Sequence, residues 1–250
     1  MRRGLLIIAI LVGFVWGSKA QTIADTSMNI HLTSFHLSGQ LPAGDMGKRY
    51  GTSLGVGGSY MYKTAKDWIL MADVTFITGN TYKADSIFDN LKDEYGDFIS
   101  IYGEVSEYKY YERGFYAAGG VGRLIPIFGP NPNSGLMVTV TGGILQYKTL
   151  IHQDGSDIPG ITGDYAVGYD RLSNGFALSE FVGYMHLDSN DPVNFYVGLE
   201  FTQAWTKNRR DWDYYLNGPE LGLRHDYMFG LRFGWIFPIN KKATNTYYFY

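Results

Sequence analysis

Cysteine is absent from the 250 residues of this chain, which excludes disulfide bonds, thiolate zinc sites and an anchor on a lipid-modified cysteine. Positive charge is not in excess either: the formal net charge is −3 at pH 7, which argues against a nucleic-acid partner. Long apolar runs are missing after residue 20, so a membrane-crossing helix, which needs about 20 apolar residues, is excluded as well. If this chain crosses a membrane, it has to do so with strands.

The N-terminus has the pattern of an export signal. Arg2 and Arg3 form a charged start, residues 4–16 are almost wholly apolar, and Ser18-Lys19-Ala20 offers the small residues that a signal peptidase reads. The apolar run is too short for a spanning helix. We therefore expect residues 1–20 to be a signal peptide and residues 21–250 to form the mature domain.

Apolar and polar residues alternate with period two in the last third of the chain. Over residues 226–237 large apolar side chains occupy every second position: Tyr227, Phe229, Leu231, Phe233, Trp235 and Phe237. A tilted strand needs roughly 9 to 11 residues to cross the hydrocarbon of a membrane, whereas soluble strands usually stop at five or six. Because lipid offers the backbone no hydrogen-bond partner, crossing strands have to close into a barrel.

Glycine and tyrosine are abundant, with 32 and 21 residues, and both suit a membrane barrel. Glycine relieves crowding where strands bend, and tyrosine suits the lipid–water boundary because it has an apolar body and a polar tip. We expect an aromatic girdle near the strand ends, formed by Trp68, Tyr147, Tyr184, Trp205 and Trp235. A soluble periplasmic β-sandwich with similar composition is the alternative.

Eight strands are predicted, at residues 29–40, 49–63, 67–78, 107–127, 135–151, 173–187, 193–206 and 223–238. The connections 64–66, 128–134 and 188–192 are short, and 41–48, 79–106, 152–172 and 207–220 are mostly longer. This alternation is typical of an up-and-down barrel with short periplasmic turns and long outer loops. We therefore predict an all-β fold, an antiparallel up-and-down transmembrane β-barrel of about eight strands, with residues 239–250 as a periplasmic tail.

The alternation also predicts which side chains face lipid. In the fifth predicted strand we expect Leu136, Val138 and Val140 to face lipid, and Thr139 and Thr141 to face inward. The third, seventh and eighth strands follow the same rule. The fourth strand is ambiguous, since its charged and apolar residues share a parity.

Six charged residues on the predicted strands are expected to form an interior network: Asp73, Arg113, Arg123, Glu180, Glu200 and Arg232. Eight strands enclose an interior that side chains roughly fill, and a charge is tolerated there only when it is paired and hydrogen-bonded. One interpretation is a polar plug that holds the strands in register. The alternative is an ion pathway that opens when the network rearranges.

Lys207, Arg209 and Arg210 cluster where the seventh predicted strand leaves the membrane. The phosphates of outer-leaflet glycolipids lie at that level, and cations there would make charge-assisted contacts with them. A solvated loop face is the other interpretation of this cluster.

The segment 168–175 is dense in polar and aromatic residues and joins an outer loop to the sixth predicted strand. It contains Tyr169, Asp170 and Arg171. Asp170 and Arg171 are adjacent in sequence, so we expect each to bond to other loops rather than to its neighbour. The segment then either folds the loops or forms a surface that docks a partner.

Residues for catalysis are sparse. The five histidines lack the spacing of a compact metal site, so we expect neither metal nor cofactor. His152 precedes Asp154 and Ser156 at a loop start, and His225 adjoins Asp226, but such residues are common in loops. We therefore expect no enzymatic activity.

With these features the chain resembles small OmpA-like outer-membrane barrels at the level of architecture. Its tyrosine-rich spans and the aromatic finish at residues 246–250 look like those of Bacteroidota envelopes, although Pro238 and Lys241-Lys242 separate that finish from the last strand. The resemblance implies export to the outer membrane of a Gram-negative cell. It also implies contact with outer-membrane lipid and lipopolysaccharide, and with the barrel-assembly machinery during insertion.

Three functions fit such a barrel. The first is a non-enzymatic structural or accessory subunit of a secretion, assembly or adhesion complex in the envelope, which presents loops 79–106 and 152–172 to a protein partner. The second is a narrow channel for ions or small solutes. The third is a barrel enzyme that acts on lipid or peptide.

Overall fold

The computed structural model describes residues 26–84, 88–89, 91–154, 158–161, 163–188 and 193–239. The expected signal peptide and residues 240–250 of the expected tail lie outside these ranges. The strands are β1 Ile30–Ala43, β2 Ser53–Lys63, β3 Trp68–Gly79, β4 Phe98–Ile99, β5 Val105–Ile125, β6 Gly135–Asp154, β7 Ser173–His186, β8 Phe195–Asn208 and β9 Leu223–Ile239. The helices are α1 Gly44–Gly47, α2 Asp164–Val167 and a 3-10 turn at Pro159–Ile161. Within these ranges, no helix has the length and apolar character to span a membrane.

Eight strands close into a ring. Its order is β3-β2-β1-β9-β8-β7-β6-β5, and pairing of β3 with β5 completes it. Every pair is antiparallel, and the two-residue strand β4 pairs only with the start of β5. The predicted up-and-down barrel of eight strands is therefore confirmed.

The strand bounds agree with the prediction to within a few residues. The largest difference lies at β2, which begins at Ser53 rather than Arg49. The residues before it are used otherwise: α1 forms a short turn, Met46 is buried, and Tyr50 makes an isolated bridge with Tyr82. These contacts draw the segment over the open end of the ring, so it does not continue the strand.

The two faces of the wall have opposite character. In β9 Phe229 and Phe233 are exposed, whereas Met228 and Arg232 are buried inside the ring. The predicted facing of β6 is confirmed as well, with Val140 exposed and Thr139 and Thr141 buried. The apolar residues exposed on the wall extend around the barrel, far beyond the patch that a soluble monomer usually carries. A closed sheet with such an outside fits lipid, since each of its eight long strands is hydrogen-bonded to a neighbour on both sides.

Three of the six charges predicted inside lie outside, and this corrects the expected network. In β7 the inward parity belongs to Ser179 and Phe181, so Glu180 between them is exposed on the lipid face. The inward face of this strand carries both small polar and large apolar side chains, so the sequence pattern does not show which residues of β7 face inward.

Strand β5 resolves its ambiguity in the same way. Tyr116 and Leu124 are buried inside, so the odd-numbered residues, Arg113 and Arg123 among them, face outward. The girdle also needs a correction, because Tyr147 lies on the inward face of β6 and is buried. The other four aromatic residues of that prediction lie on the outward face of the wall.

The interior is filled in layers. Eleven buried residues form an apolar layer at the end with the short turns: Ile30, Leu32, Met61, Ile69, Leu124, Met137, Phe181, Met185, Leu187, Tyr196 and Ile236. Inward glycines make room for its two largest rings, since a Cβ on Gly234 would meet the ring of Tyr196 and one on Gly198 that of Phe181. A polar layer follows, and then a second apolar layer that includes Met46, Tyr116, Leu145 and Met228.

Short and long connections lie at opposite ends of the ring. At the long-connection end β5 and β6 project beyond their neighbours. Pairing of β5 with β3 ends at Glu112 of β5, and pairing of β6 with β7 ends at Tyr147 of β6, whereas β5 and β6 continue to pair with each other. We call the described residues of 44–52, 80–104, 155–172 and 209–222, together with the projecting ends of β5 and β6, the loop cap. The loop cap covers the end of the barrel that the sequence predicts to face outward from the cell.

Candidate functional site

A buried ion network occupies the middle of the barrel. The Arg232 guanidinium lies 3.2 Å from an Asp73 carboxylate oxygen through Nη1 and 2.6 Å from a Glu200 oxygen through Nη2. The three side chains are at most 5% exposed. They come from β3 and from the neighbouring strands β8 and β9, so the Arg232 cation joins β3 to a strand pair from which β2 and β1 separate it in the ring. The structure thus brings together Asp73, Glu200 and Arg232 of the predicted set.

Hydroxyl groups and one imidazole complete the network. Ser179 donates a hydrogen bond to Glu200 over 3.0 Å, and Thr75 donates one to Asp73 over 3.0 Å. His36 Nε2 lies 2.8 Å from Thr75 Oγ1, and its Nδ1 lies 3.8 Å from an Asp73 oxygen. Buried charges keep a favourable balance only with such extra hydrogen bonds.

His36 is a member that sequence pattern did not bring out. The signal was present, since His36 shares its parity with Ser34 and Ser38 in a strand where Phe35 and Leu37 face outward. Asp, His and Thr are residue types used in acid–base relays. Here His36 has no exposed surface, and apolar layers lie above and below, so we assign no chemistry to it.

Arg113 and Arg123 take other partners on the outside of the wall. The Arg123 guanidinium lies 5.6 Å from the centre of the Trp68 ring, near the short turns. The Arg113 guanidinium lies 5.1 Å from the Tyr111 ring centre and donates a hydrogen bond to Thr78, at the other end of the wall. Glu180 has no ion pair within the described part of the chain.

A second ionic cluster lies where the barrel meets the loop cap. Glu220 pairs with Arg49 over 2.9 Å and with Arg224, and the Asn208 amide donates to it over 3.0 Å. Burial alone would raise the pKa of Glu220, but the hydrogen bonds from Arg224 and Asn208 and the charges of Arg49 and Arg224 outweigh burial and lower the pKa to about 2. Ionised Glu220 therefore joins the 44–52 and 209–222 connections to β9.

Two further ion pairs join the loops to one another. Arg171 Nε donates a hydrogen bond to Asp213 over 2.8 Å. Arg210 donates two hydrogen bonds to the Asp170 carboxylate, over 2.8 and 2.5 Å. Asp170 and Arg171 thus bond to the 209–222 connection and not to each other. Arg171 has a φ of +49°, a strained backbone state that persists where contacts on both sides hold it.

An aromatic cluster forms the core of the loop cap. Phe88 stacks on Tyr110 with ring centres 5.1 Å apart, and it lies 4.8 Å from the ring of Tyr169. Phe98 and Tyr108 meet edge to face at 4.2 Å. Tyr169, predicted to lie in a docking surface, is therefore buried in the core of the cap, and this is a correction.

The outer surface of the loop cap carries other aromatic and apolar side chains. They include Tyr95, Ile101, Tyr102, Tyr165, Trp212, Tyr215, Leu216 and Leu221. Aromatic residues on a rigid surface are enriched at protein interfaces, because they bury a large area at low entropic cost. No group of three metal-ligating side chains occurs in the ranges that the structure describes.

No protein-family model and no curated protein sequence matches the chain. Among solved structures, the attachment invasion locus protein Ail of Yersinia pestis has 9% identity and a TM-score of 0.44, with 84% of this chain and 99% of that chain covered. Neisserial surface protein A has 10% identity and a TM-score of 0.41, with 82% and 95% covered. The outer membrane protein OprG of Pseudomonas aeruginosa has 10% identity and a TM-score of 0.37, with 88% and 99% covered.

The class of fold follows from the closed ring and its lipid-facing wall, which are the architecture of outer-membrane barrels. The expected small, OmpA-like outer-membrane barrel is thereby confirmed, whereas the resemblance to Bacteroidota barrels stays an expectation.

Proposed function

We propose that the chain is a non-enzymatic structural or accessory subunit of an envelope complex, and that it binds a protein partner through the outer surface of the loop cap. The observation that carries this proposal is the packed state of the long connections. The 80–104 and 155–172 connections share one aromatic core, and the pairs Arg171–Asp213 and Arg210–Asp170 join the 209–222 connection to them.

A packed cap favours binding because its loops lose their conformational entropy when the protein folds and not when the partner binds. A surface that is rigid in the free protein loses less conformational entropy on association than flexible loops do. Exposed residues such as Tyr102, Tyr165 and Trp212 then supply apolar contact area with few rotatable bonds. A partner with a complementary apolar and polar surface fits this description best.

The filled interior supports a structural role over conduction. Apolar layers lie on both sides of the Arg232 network, and a hydrated ion would meet buried side chains at each level. The alternative of a narrow channel therefore requires that these layers move. Planar-bilayer recordings test it: we expect no discrete conductance, and a conductance that changes in Glu200→Ala or Arg232→Ala would favour the channel.

Site-specific photo-crosslinking in intact cells tests the docking surface. Crosslinkers at Tyr102 and Tyr165 report on the cap, and one at Phe128, exposed in a short turn at the opposite end, serves as a matched control. We expect one envelope protein to be captured from both cap positions and not from Phe128. The same protein should copurify after gentle detergent extraction and be lost from a Tyr165→Ser, Trp212→Ser variant. Capture of lipid only, or equal capture at Phe128, would overturn the proposal.

A further inference from the structure

Two outward-facing cations stand side by side at the outer end of β5 and β6. Arg113 and Lys148 are directly paired positions of the two strands. Arg113 bonds to Thr78 on the neighbouring strand, and Lys148 lies at the base of the loop cap, 3.7 Å from Asp170. Both side chains lie on the lipid-facing side of the wall, at its upper edge.

A ladder of polar side chains continues from this pair around the wall. Gln146 accepts a hydrogen bond from Asn174 over 3.3 Å, and Asn174 accepts one from Arg209 over 2.5 Å. Lys207 is the strand partner of Asn174. With neighbouring strands about 4.8 Å apart, the cations from β5 to β8 span roughly 15 Å at one level.

The charges of this ladder are incompletely neutralised. Arg113, Lys207 and Arg209 have no ion pair with a carboxylate in the described ranges. Asp170, the acid that Lys148 approaches, already accepts two hydrogen bonds from Arg210, and Lys148 lies 3.7 Å from it. Of the predicted glycolipid cluster, Arg210 thus has a carboxylate partner, whereas Lys207 and Arg209 have none within the described ranges.

An apolar groove opens directly below the cations. It has a volume of about 380 Å³ and lies on the outside of the wall, with Val56, Phe76 and Phe115 along it and Arg113 and Lys148 at its upper end. Below Arg209 a stacked pair, Phe176 and Trp205, adds further apolar surface with ring centres 6.2 Å apart. Polar groups and apolar surface thus meet at the level where a headgroup joins its acyl chains.

We propose that this rim is a binding site for a phosphate-bearing lipid of the outer leaflet, with phosphate held by Arg113, Lys148 and Arg209 and an acyl chain in the groove. Guanidinium and ammonium groups form strong charge-assisted hydrogen bonds with phosphate oxygens. A soluble anion would pair with the cations but would not fill the apolar groove. One phosphorylated lipid supplies both the anion and an acyl chain for the groove. On the opposite side of the same rim, Leu41, Leu54 and Leu223 take comparable exposed positions, so the site belongs to one side of the barrel.

Lipid binding to the purified barrel in detergent tests this site without any protein partner, so its failure is separate from failure of the cap proposal. The probes are a bis-phosphorylated glycolipid, the same glycolipid without phosphates, and inorganic phosphate, each read by native mass spectrometry. We expect the phosphorylated lipid to bind at least tenfold more tightly than the dephosphorylated one. Inorganic phosphate should bind far more weakly than the intact phosphorylated lipid.

Two variants with equal loss of charge sharpen the test. Arg113→Gln with Lys148→Gln should weaken binding of the phosphorylated lipid by about tenfold or more, since each lost contact involves a charged group. Lys66→Gln with Arg123→Gln, at the short-turn end, should leave it unchanged. Val56→Trp, which fills the groove, should weaken binding of both lipids alike. Heat-modifiable gel mobility establishes that each variant is folded. Equal affinity for the two lipids, equal effects of the two charge variants, or inorganic phosphate as tight as lipid would overturn the proposal.

Discussion

The barrel wall and the loop cap are stabilised in different ways. The wall depends on backbone ladders between neighbouring strands, with an apolar outside and a packed inside in which Arg232 joins Asp73 and Glu200. The loop cap depends on side chains that are distant in sequence, such as Phe88 with Tyr169 and Arg171 with Asp213. We therefore expect the wall to tolerate loss of the cap, whereas the cap depends on the strand ends that the wall positions.

The largest expected effect is on the wall. Arg232→Ala leaves the carboxylates of Asp73 and Glu200 buried without their cation, so we expect a loss of about 3–5 kcal/mol in unfolding free energy. Urea unfolding in lipid vesicles, followed by tryptophan fluorescence, measures it. The control Arg123→Ala removes only an exposed contact with Trp68 and should cost about 1 kcal/mol or less. Equal losses in the two variants would show that the network does not hold the wall together.

The next effect should be confined to the loop cap. Phe88→Ala removes a buried ring that contacts Phe98, Tyr110 and Tyr169, and comparable deletions cost about 3–5 kcal/mol in the unit that contains them. We expect rapid protease cleavage within 80–104 while the barrel keeps its heat-modifiable mobility. Tyr95→Ala, at an exposed position, is the control and should resist cleavage like the wild type. Loss of the folded barrel in Phe88→Ala would contradict the independence of the wall.

Acid should loosen the junction between the two regions. The pKa of Glu220 is lowered from 4.5 to about 2, so its stabilising contribution is present above pH 4.5 and is lost as pH falls from about 4.5 through 2. Hydrogen exchange of the 209–222 connection, corrected for intrinsic rates, should increase over that range and not between pH 7 and 5. Glu220→Gln should exchange faster already at pH 7 and lose this dependence. A variant that keeps the wild-type profile would exclude Glu220 as the titrating group.

The smallest effect concerns the lipid face of the wall. Glu180 is a carboxylate among apolar residues midway along β7, where acidic side chains cost less than the roughly 2–4 kcal/mol of basic ones. Glu180→Leu should therefore stabilise the barrel by about 1 kcal/mol in vesicle unfolding. Val182→Leu, on the same face, should be neutral. A loss of stability in Glu180→Leu would mean that this carboxylate has a partner in the membrane.

Prediction from sequence succeeded where one strand carries its own signal. The alternation in β9 predicts the facing of every residue from Tyr227 to Phe237, and the short turns predict the order of the ring. It failed at Glu180 and Arg113, because β5 and β7 mix polar and apolar residues on both faces. It also failed to predict that Tyr169 is buried, since burial of a ring in a loop segment depends on which side chains of other loops pack against it.

The order of residues along the chain was sufficient for the closed, two-faced wall, because lipid and the period of a strand impose one pattern that each crossing repeats locally. The partners of individual charges required the folded molecule. Arg232 meets Asp73 across 159 residues, and Arg210 rather than Lys207 reaches Asp170, because contacts between side chains depend on how strands tilt and loops fold in space. The local sequence does not determine those distances.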